Sequence, residues 1–218
     1  MKLSYISVKK LVFCSLLATL PFDTPTMQAA TVGDDVEYTC VEVPRRMVFC
    51  GETVDLSRFD RRERMDRELL AFSFMHSTSI QMIKRANRYF SIVEDILREN
   101  GIPDDFKYLM SIESNNNPLA RSGAGAAGLW QLMPATAREF GLEVGHSVDE
   151  RYHVEKATRA ACRYLKQAYQ RFGNWVSVAA SYNAGQGRIS KSLAEQYRRK
   201  CARPSVGRRD RTIRVSNS

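Results

Sequence analysis

Apolar residues recur at three- and four-residue steps through most of the chain, the spacing of one helical face. Between Asp60 and His76, that step is kept by Met65, Leu69, Phe72 and Met75. Between Thr78 and Asn100 it is repeated by Ile80, Ile83, Phe90, Val93 and Leu97, and Gly101 supplies the left-handed stop that ends many helices. Both segments are predicted helices with these side chains inward and the charged remainder in solvent. Pro103, Asp104 and Asp105 suit the free N–H groups of a first helical turn. A short helix is therefore predicted from Ile102 to Glu113, stopped by the turn formers Ser114-Asn-Asn-Asn-Pro118. Pro134 opens another short helix, ended by Gly141. A long one runs from Asp149 to Phe172 before Gly173, and a last one from Asn174 to Asn183 with Trp175, Val178, Ala179 and Tyr182 on one face. Residues 31–57 hold short apolar pieces without a clear period and read as an irregular, β-tinged lead-in. The predicted fold class is mostly α.

The first thirty residues follow a different pattern. Lys2, Lys9 and Lys10 flank the ten apolar-rich residues Leu11–Leu20, and small residues follow at Ala29 and Ala30. That order reads as a signal peptide over residues 1–30, and it predicts export to the periplasm or cell envelope. Ten residues are too few to cross a bilayer, so no transmembrane helix is expected in the mature chain. An N-terminal anchor is the competing reading; a lipid on Cys14 is disfavoured by bulky Phe13. Export would permit disulfides. Cys40 and Cys50 either close a small loop or stay as two thiols, and Cys162 reads as a small buried residue.

The net charge of +9 suggests nucleic acid until it is located along the chain. Residues 198–218 carry eight Lys/Arg and one Asp, and residues 1–30 carry three Lys and one Asp. Residues 31–197 hold 22 basic and 22 acidic side chains, so the body is neutral and no nucleic-acid partner is expected. The basic end reads as a disordered tail. His76, His146 and His153 show no ligand spacing, and neither metal nor cofactor is expected.

Gly123, Gly125 and Gly128 form a G-x-G-x-x-G, with Asp149 21 residues beyond, as a dinucleotide site would want. Such a fingerprint must directly follow a buried strand. Here it follows a predicted helix and the nine-residue polar loop Ser114–Ser122, so that reading is set aside. Glu113 is the more distinctive acid. It ends FKYLMSIE, where the negative helix end and apolar Leu109 and Ile112 disfavour the ionised form. A raised pKa would suit a general acid. An ordinary surface glutamate at a fraying helix end satisfies these cues equally well.

Five short motifs follow in fixed order: Glu113-Ser114, Ser122-Gly-Ala124, Ala126-Ala-Gly-Leu-Trp-Gln131, Met133-Pro-Ala-Thr-Ala137 and Ser181-Tyr-Asn-Ala-Gly-Gln-Gly-Arg188. The series resembles the lysozyme-like lytic transglycosylases over Ile102–Leu193, within a predicted domain of residues 58–197. The resemblance implies a goose-type lysozyme/SLT helical domain whose cleft takes peptidoglycan glycan strands. Glu113 would be the family's single catalytic acid, cutting the MurNAc–GlcNAc β-1,4 bond and leaving a 1,6-anhydromuramyl end. Ser114 would support the loop after the catalytic helix. Ser122, Gly128, Gln131, Met133, Tyr182 and Asn183 would bind substrate. Gly128 would let backbone approach a sugar, Met133 would make an apolar contact, and Tyr182 would help place the Glu113 proton. Trp130 is expected to be buried.

The same resemblance leads one to expect a further helical segment carrying E-T and an aromatic after Arg188. The chain instead passes Glu195-Gln196-Tyr197 into the arginine-rich tail, which reads either as a truncated or frame-shifted end or as a natural variant tail. No LysM-like wall-binding repeat follows. Two rival functions remain beside the transglycosylase: a hydrolytic muramidase using Asp149 or Glu150 as second carboxylate, and an inactive peptidoglycan-binding module.

Overall fold

A computed structural model describes residues 42–201. The proposed signal peptide, Cys40 and residues 202–218 lie outside the described residues. The first regular element of the described residues is a two-stranded antiparallel hairpin, β1 (Arg46–Phe49) and β2 (Glu52–Asp55), within the lead-in expected to be irregular or β-tinged. Seven α-helices follow: α1 (Phe59–Phe74), α2 (His76–Glu99), α3 (Phe106–Ser114), α4 (Pro134–Glu139), α5 (Val154–Phe172), α6 (Trp175–Ala184) and α7 (Gln186–Cys201). One 3-10 turn, Glu150–Tyr152, precedes α5. The architecture is mostly α, and α7 continues four residues past the expected boundary at Tyr197.

The hairpin joins two apolar clusters. Met47 packs with Val43, Leu56, Met65 and Leu69 between the hairpin and α1. Phe49, two residues on and so on the same strand face, enters the main core beside Phe106, with ring centroids 5.7 Å apart. Burying a side chain of that size stabilises the fold by roughly 1.5–3 kcal/mol.

In the main core α2 packs against α5, and the small residues Ala157, Ala160, Ala161 and Ala168 of α5 are buried there. The buried face of α2 carries Met82, Ala86, Val93, Ile96 and Leu97. Ile80 and Ile83, expected inward, are exposed, as is Met75 at the junction of α1 and α2. The phase explains this: at 100° per residue, Met82 and Ala86 fall within about 20° of Val93, and Ile80 about 140° away. Local three- and four-residue steps matched, but the stripe drifted around the helix.

The long α5 is capped at both ends. The His153 side chain accepts from Lys156 N, and Gly173 ends the helix in the left-handed region. Asn174 then starts α6, its Oδ1 accepting from Ser177 N at 2.8 Å. This tight joint turns the chain back so that α6 packs on α5 and carries Tyr182 toward Glu113 in the last turn of α3.

Candidate active site

Glu113 lies in the last turn of α3 and is half-buried. The helix ends because Asn115 and Asn116 both adopt left-handed backbone, with φ of 51° and 56°, a conformation asparagine tolerates better than most residues. Asn116 is fully buried, and its Nδ2 donates to Met82 O of α2 at 3.0 Å. That bond ties the end of the Glu113 helix to α2. Ser114 donates its hydroxyl back to Met110 O at 3.2 Å, while its carbonyl accepts from Asn117 N at 3.0 Å.

Residues 120–132 fold into a compact loop held by antiparallel bridges, Arg121 with Ala127 and Ala127 with Leu132. Ser122 closes its first turn. Its carbonyl accepts from Gly125 N, and its Oγ and N–H bond Ala126 N and O at 3.0 and 2.9 Å. Gln131 closes the second: its Nε2 donates to Ala120 O at 3.1 Å and Gly128 O at 2.8 Å. Ser122 and Gln131 thus occupy opposite turns of one loop. Met133, the residue before α4, leaves its side chain exposed. Trp130 is buried, with Nε1 donating to Thr158 Oγ1 at 2.9 Å, and Thr158 in turn donates to Val154 O.

Gly128 is buried, its φ is +77°, and a Cβ there would stand 1.9 Å from the Arg151 carbonyl oxygen. Its N–H donates to Ala120 O and its carbonyl accepts from Gln131. The close approach that Gly128 makes here is to the backbone of Arg151. Glycine is required here by packing of the loop against the Arg151 backbone.

Arg151, a residue the sequence analysis passed over, organises this region. It is 5% exposed, and its guanidinium forms a two-point pair with Asp149, at 2.8 and 2.7 Å. The remaining nitrogen donates to Gly125 O at 2.7 Å and Leu132 O at 3.0 Å, on opposite arms of the glycine loop. A fixed guanidinium fork suits such a four-point clamp, and the carboxylate offsets the cost of burying the charge. Asp149 is held below the usual carboxylate range, first by the Arg151 hydrogen bond. Glu150 is shifted the same way, first by the Lys156 hydrogen bond and then by Glu143 N–H. Both carboxylates considered for a second catalytic role are engaged in ion pairs.

Tyr182 links the parts. Its hydroxyl donates to Trp130 O at 2.8 Å, and its ring meets Tyr164 edge to face with centroids 5.3 Å apart. Burial, and then the nearby charge of Glu113, push the phenol well above its ordinary value, so it stays protonated. With its hydrogen committed to Trp130 O, the Tyr182 oxygen faces its neighbours as an acceptor. Asn183, next along α6, has a buried Nδ2 without a hydrogen-bond partner among the described residues. Beyond Tyr164, a groove of about 510 Å³ is lined by Thr136, Glu139, Phe140, Gln167, Arg171 and Gln186. It lacks Glu113 and lies outside this constellation. Among the described residues no cluster of ligating side chains could hold a metal, and no helix is long and apolar enough to cross a membrane.

Comparison with known proteins bears on the whole arrangement. The sequence model of the family described as the transglycosylase SLT domain matches residues 91–203. Membrane-bound lytic murein transglycosylase D of Escherichia coli (strain K12) is 32% identical over 133 residues, 61% of this chain and 28% of that protein. A putative tributyltin chloride resistance protein of Alteromonas sp. (strain M-1) is 32% identical over 123 residues, 55% of this chain and 59% of that one. Soluble lytic murein transglycosylase of Escherichia coli (strain K12) is 38% identical over 90 residues, 38% of this chain and 14% of that protein. The chain thus aligns with less than a third of the first of these relatives.

Proposed function

Because the chain belongs to the transglycosylase SLT domain family, with its lysozyme-like fold, we propose that it is a peptidoglycan lytic transglycosylase acting in the cell envelope. It cleaves the MurNAc–GlcNAc β-1,4 bond during cell-wall turnover or remodelling. The observation that carries this reading is the setting of Glu113. It sits half-buried beside a protonated Tyr182, while Asp149 and Glu150 are occupied by Arg151 and Lys156. Most glycosidases need two working carboxylates. With both Asp149 and Glu150 engaged, the site suits a reaction in which the substrate supplies its own nucleophile.

The steps follow from that arrangement. Glu113 donates its proton to the glycosidic oxygen as the C1–O bond breaks and positive charge develops on the muramyl C1. The resulting carboxylate then takes the proton of the C6 hydroxyl of the same sugar, whose oxygen bonds to C1. Proximity replaces a separately activated nucleophile, no water is consumed, and Glu113 ends protonated as it began. Tyr182, Gln131 and Asn183 orient the sugar and the acid, Ser122 borders the cleft, and Met133 offers an apolar contact. Gly128 acts by shaping the loop.

The test is to digest purified peptidoglycan with the protein and weigh the released muropeptides. Anhydromuramyl ends, one water lighter than hydrolysis products, are the expected result. Reducing ends would establish a muramidase instead, and binding without release an inactive wall-binding module. Glu113→Gln is expected to lower release about a hundredfold to ten-thousandfold while thermal unfolding stays close to wild type. Full release by that variant would remove Glu113 from the mechanism.

A further inference from the structure

The hairpin lies outside the family match at residues 91–203, yet it holds the starting ends of both helices that carry the candidate site. Glu52 of β2 reaches across to α6. Its Oε1 accepts from Trp175 N at 2.5 Å and its Oε2 from Val176 N at 3.3 Å. With Asn174 accepting from Ser177 N, the first three N–H groups of α6 are satisfied, two of them by the hairpin. An anion at that helix end is also favoured by the backbone dipole. At the hairpin turn, Cys50 donates its N–H to the carboxylate of Asp105, the residue immediately before α3. A chain of edge-to-face rings joins the same three elements, Phe49 to Phe106 at 5.7 Å and Phe106 to Trp175 at 5.4 Å.

We propose that the hairpin is a positioning brace for the active site and that Glu52 is its key positioning residue. Through Glu52 it sets the orientation of α6, and so of Tyr182 and Asn183, relative to Glu113 on α3. Glu113 lies seven residues past Phe106 and Asn183 eight past Trp175, about 10 and 12 Å along their axes. Both helices are therefore levers pinned at the hairpin with their working residues at the far end. A tilt of about 5° at the pinned end displaces the Asn183 end by about 1 Å. Displacements of that size at a reacting centre cost up to about a hundredfold in rate. The proposal rests on the transglycosylase reading for its activity readout, but its geometric content does not.

The experiment compares wild type, Glu52→Ala and Glu52→Gln by two measurements, at a temperature where each is folded by circular dichroism. The first is muropeptide release. Glu52→Ala is expected to lower turnover between about tenfold and a hundredfold with little change in KM, because the groups contacting bound glycan remain. Glu52→Gln keeps one carbonyl acceptor for Trp175 N–H and is expected to recover most of the loss. The second is amide hydrogen exchange, which needs no activity. In Glu52→Ala, exchange should quicken through the far ends of α6 and α3, residues 178–184 and 109–114, and be restored by Glu52→Gln. Faster exchange confined to residues 174–177 would mean simple fraying and would overturn the brace. Full turnover by folded Glu52→Ala would do the same. If wild type itself releases nothing, the transglycosylase reading fails, and the exchange pattern alone still decides for or against the brace.

Discussion

Replacing Gly128 by alanine tests the close packing of the glycine loop. The added methyl would sit 1.9 Å from Arg151 O and 2.8 Å from Arg151 C, both backbone atoms. Relief requires the Arg151 segment to move by more than 1 Å, but its guanidinium is tied to Asp149, Gly125 O and Leu132 O. Overpacking of this kind costs about 1–3 kcal/mol. The left-handed backbone adds about 1–2 kcal/mol for a residue with a Cβ, offset by up to about 1 kcal/mol from the stiffer unfolded chain. The expected loss is about 2–4 kcal/mol, a large part of a domain's stability of about 5–15 kcal/mol. Gly125→Ala is the matched control: its φ is +90°, and a Cβ there meets nothing within 4 Å. It should show the backbone cost alone, about 1 kcal/mol. Urea unfolding of the three proteins, read as midpoints at a common slope, supplies the comparison. Equal losses in the two variants would refute the clash argument and return Gly128 to a role at the sugar.

The Arg151 clamp predicts an acid-dependent stability. Asp149 has a lowered folded-state pKa, so its contribution is complete above its ordinary value of 3.8 and is lost as pH falls through the folded value. The stability gap between wild type and Asp149→Asn should therefore narrow below about pH 4; a gap constant from pH 7 to pH 3 would contradict the assignment. Tyr182→Phe keeps the ring contacts with Tyr164 and Trp130 but leaves the Trp130 carbonyl without its donor. It should cost about 1–2 kcal/mol in urea and lower turnover, and unchanged values in both would dismiss the hydrogen bond. Trp130→Phe strands the Thr158 acceptor while Thr158 still donates to Val154 O. The loss should fall near 1–3 kcal/mol by thermal unfolding, and a neutral result would show that the core repacks freely there.

The helical skeleton was legible because its signals are local and redundant. Asn174, Gly173 and Pro134 mark boundaries by chemistry that acts within one turn. Ile80 and Ile83 misled because a correct local step says nothing about which face meets α5 twenty residues later. The hairpin escaped notice for a related reason. Its strands are four residues each, and its two-residue turn, Cys50-Gly51, puts both residues at positive φ. Such turns are recognised in sequence by Asn-Gly or Asp-Gly, and a cysteine hides the signal. Glu113 and the glycine loop were found as ordered motifs. Arg151 was not, since Asp149-Glu150-Arg151 reads as a charged surface, and only the folded loop reveals two carbonyls aimed at one guanidinium. Glu52 was invisible on the same grounds, its partners lying 123 and 124 residues away.

That last separation bears on how the molecule assembles. Contacts of long sequence span are entropically dear to form and tend to come late. The bond from Glu52 to Trp175 cannot close until almost the whole domain has been made. The hairpin and α1 share a separate small cluster, Val43, Met47, Leu56, Met65 and Leu69, whose contacts are all local by comparison. Docking of α6 would then be a closing step, bringing Tyr182 to Trp130 and Glu113 as folding ends.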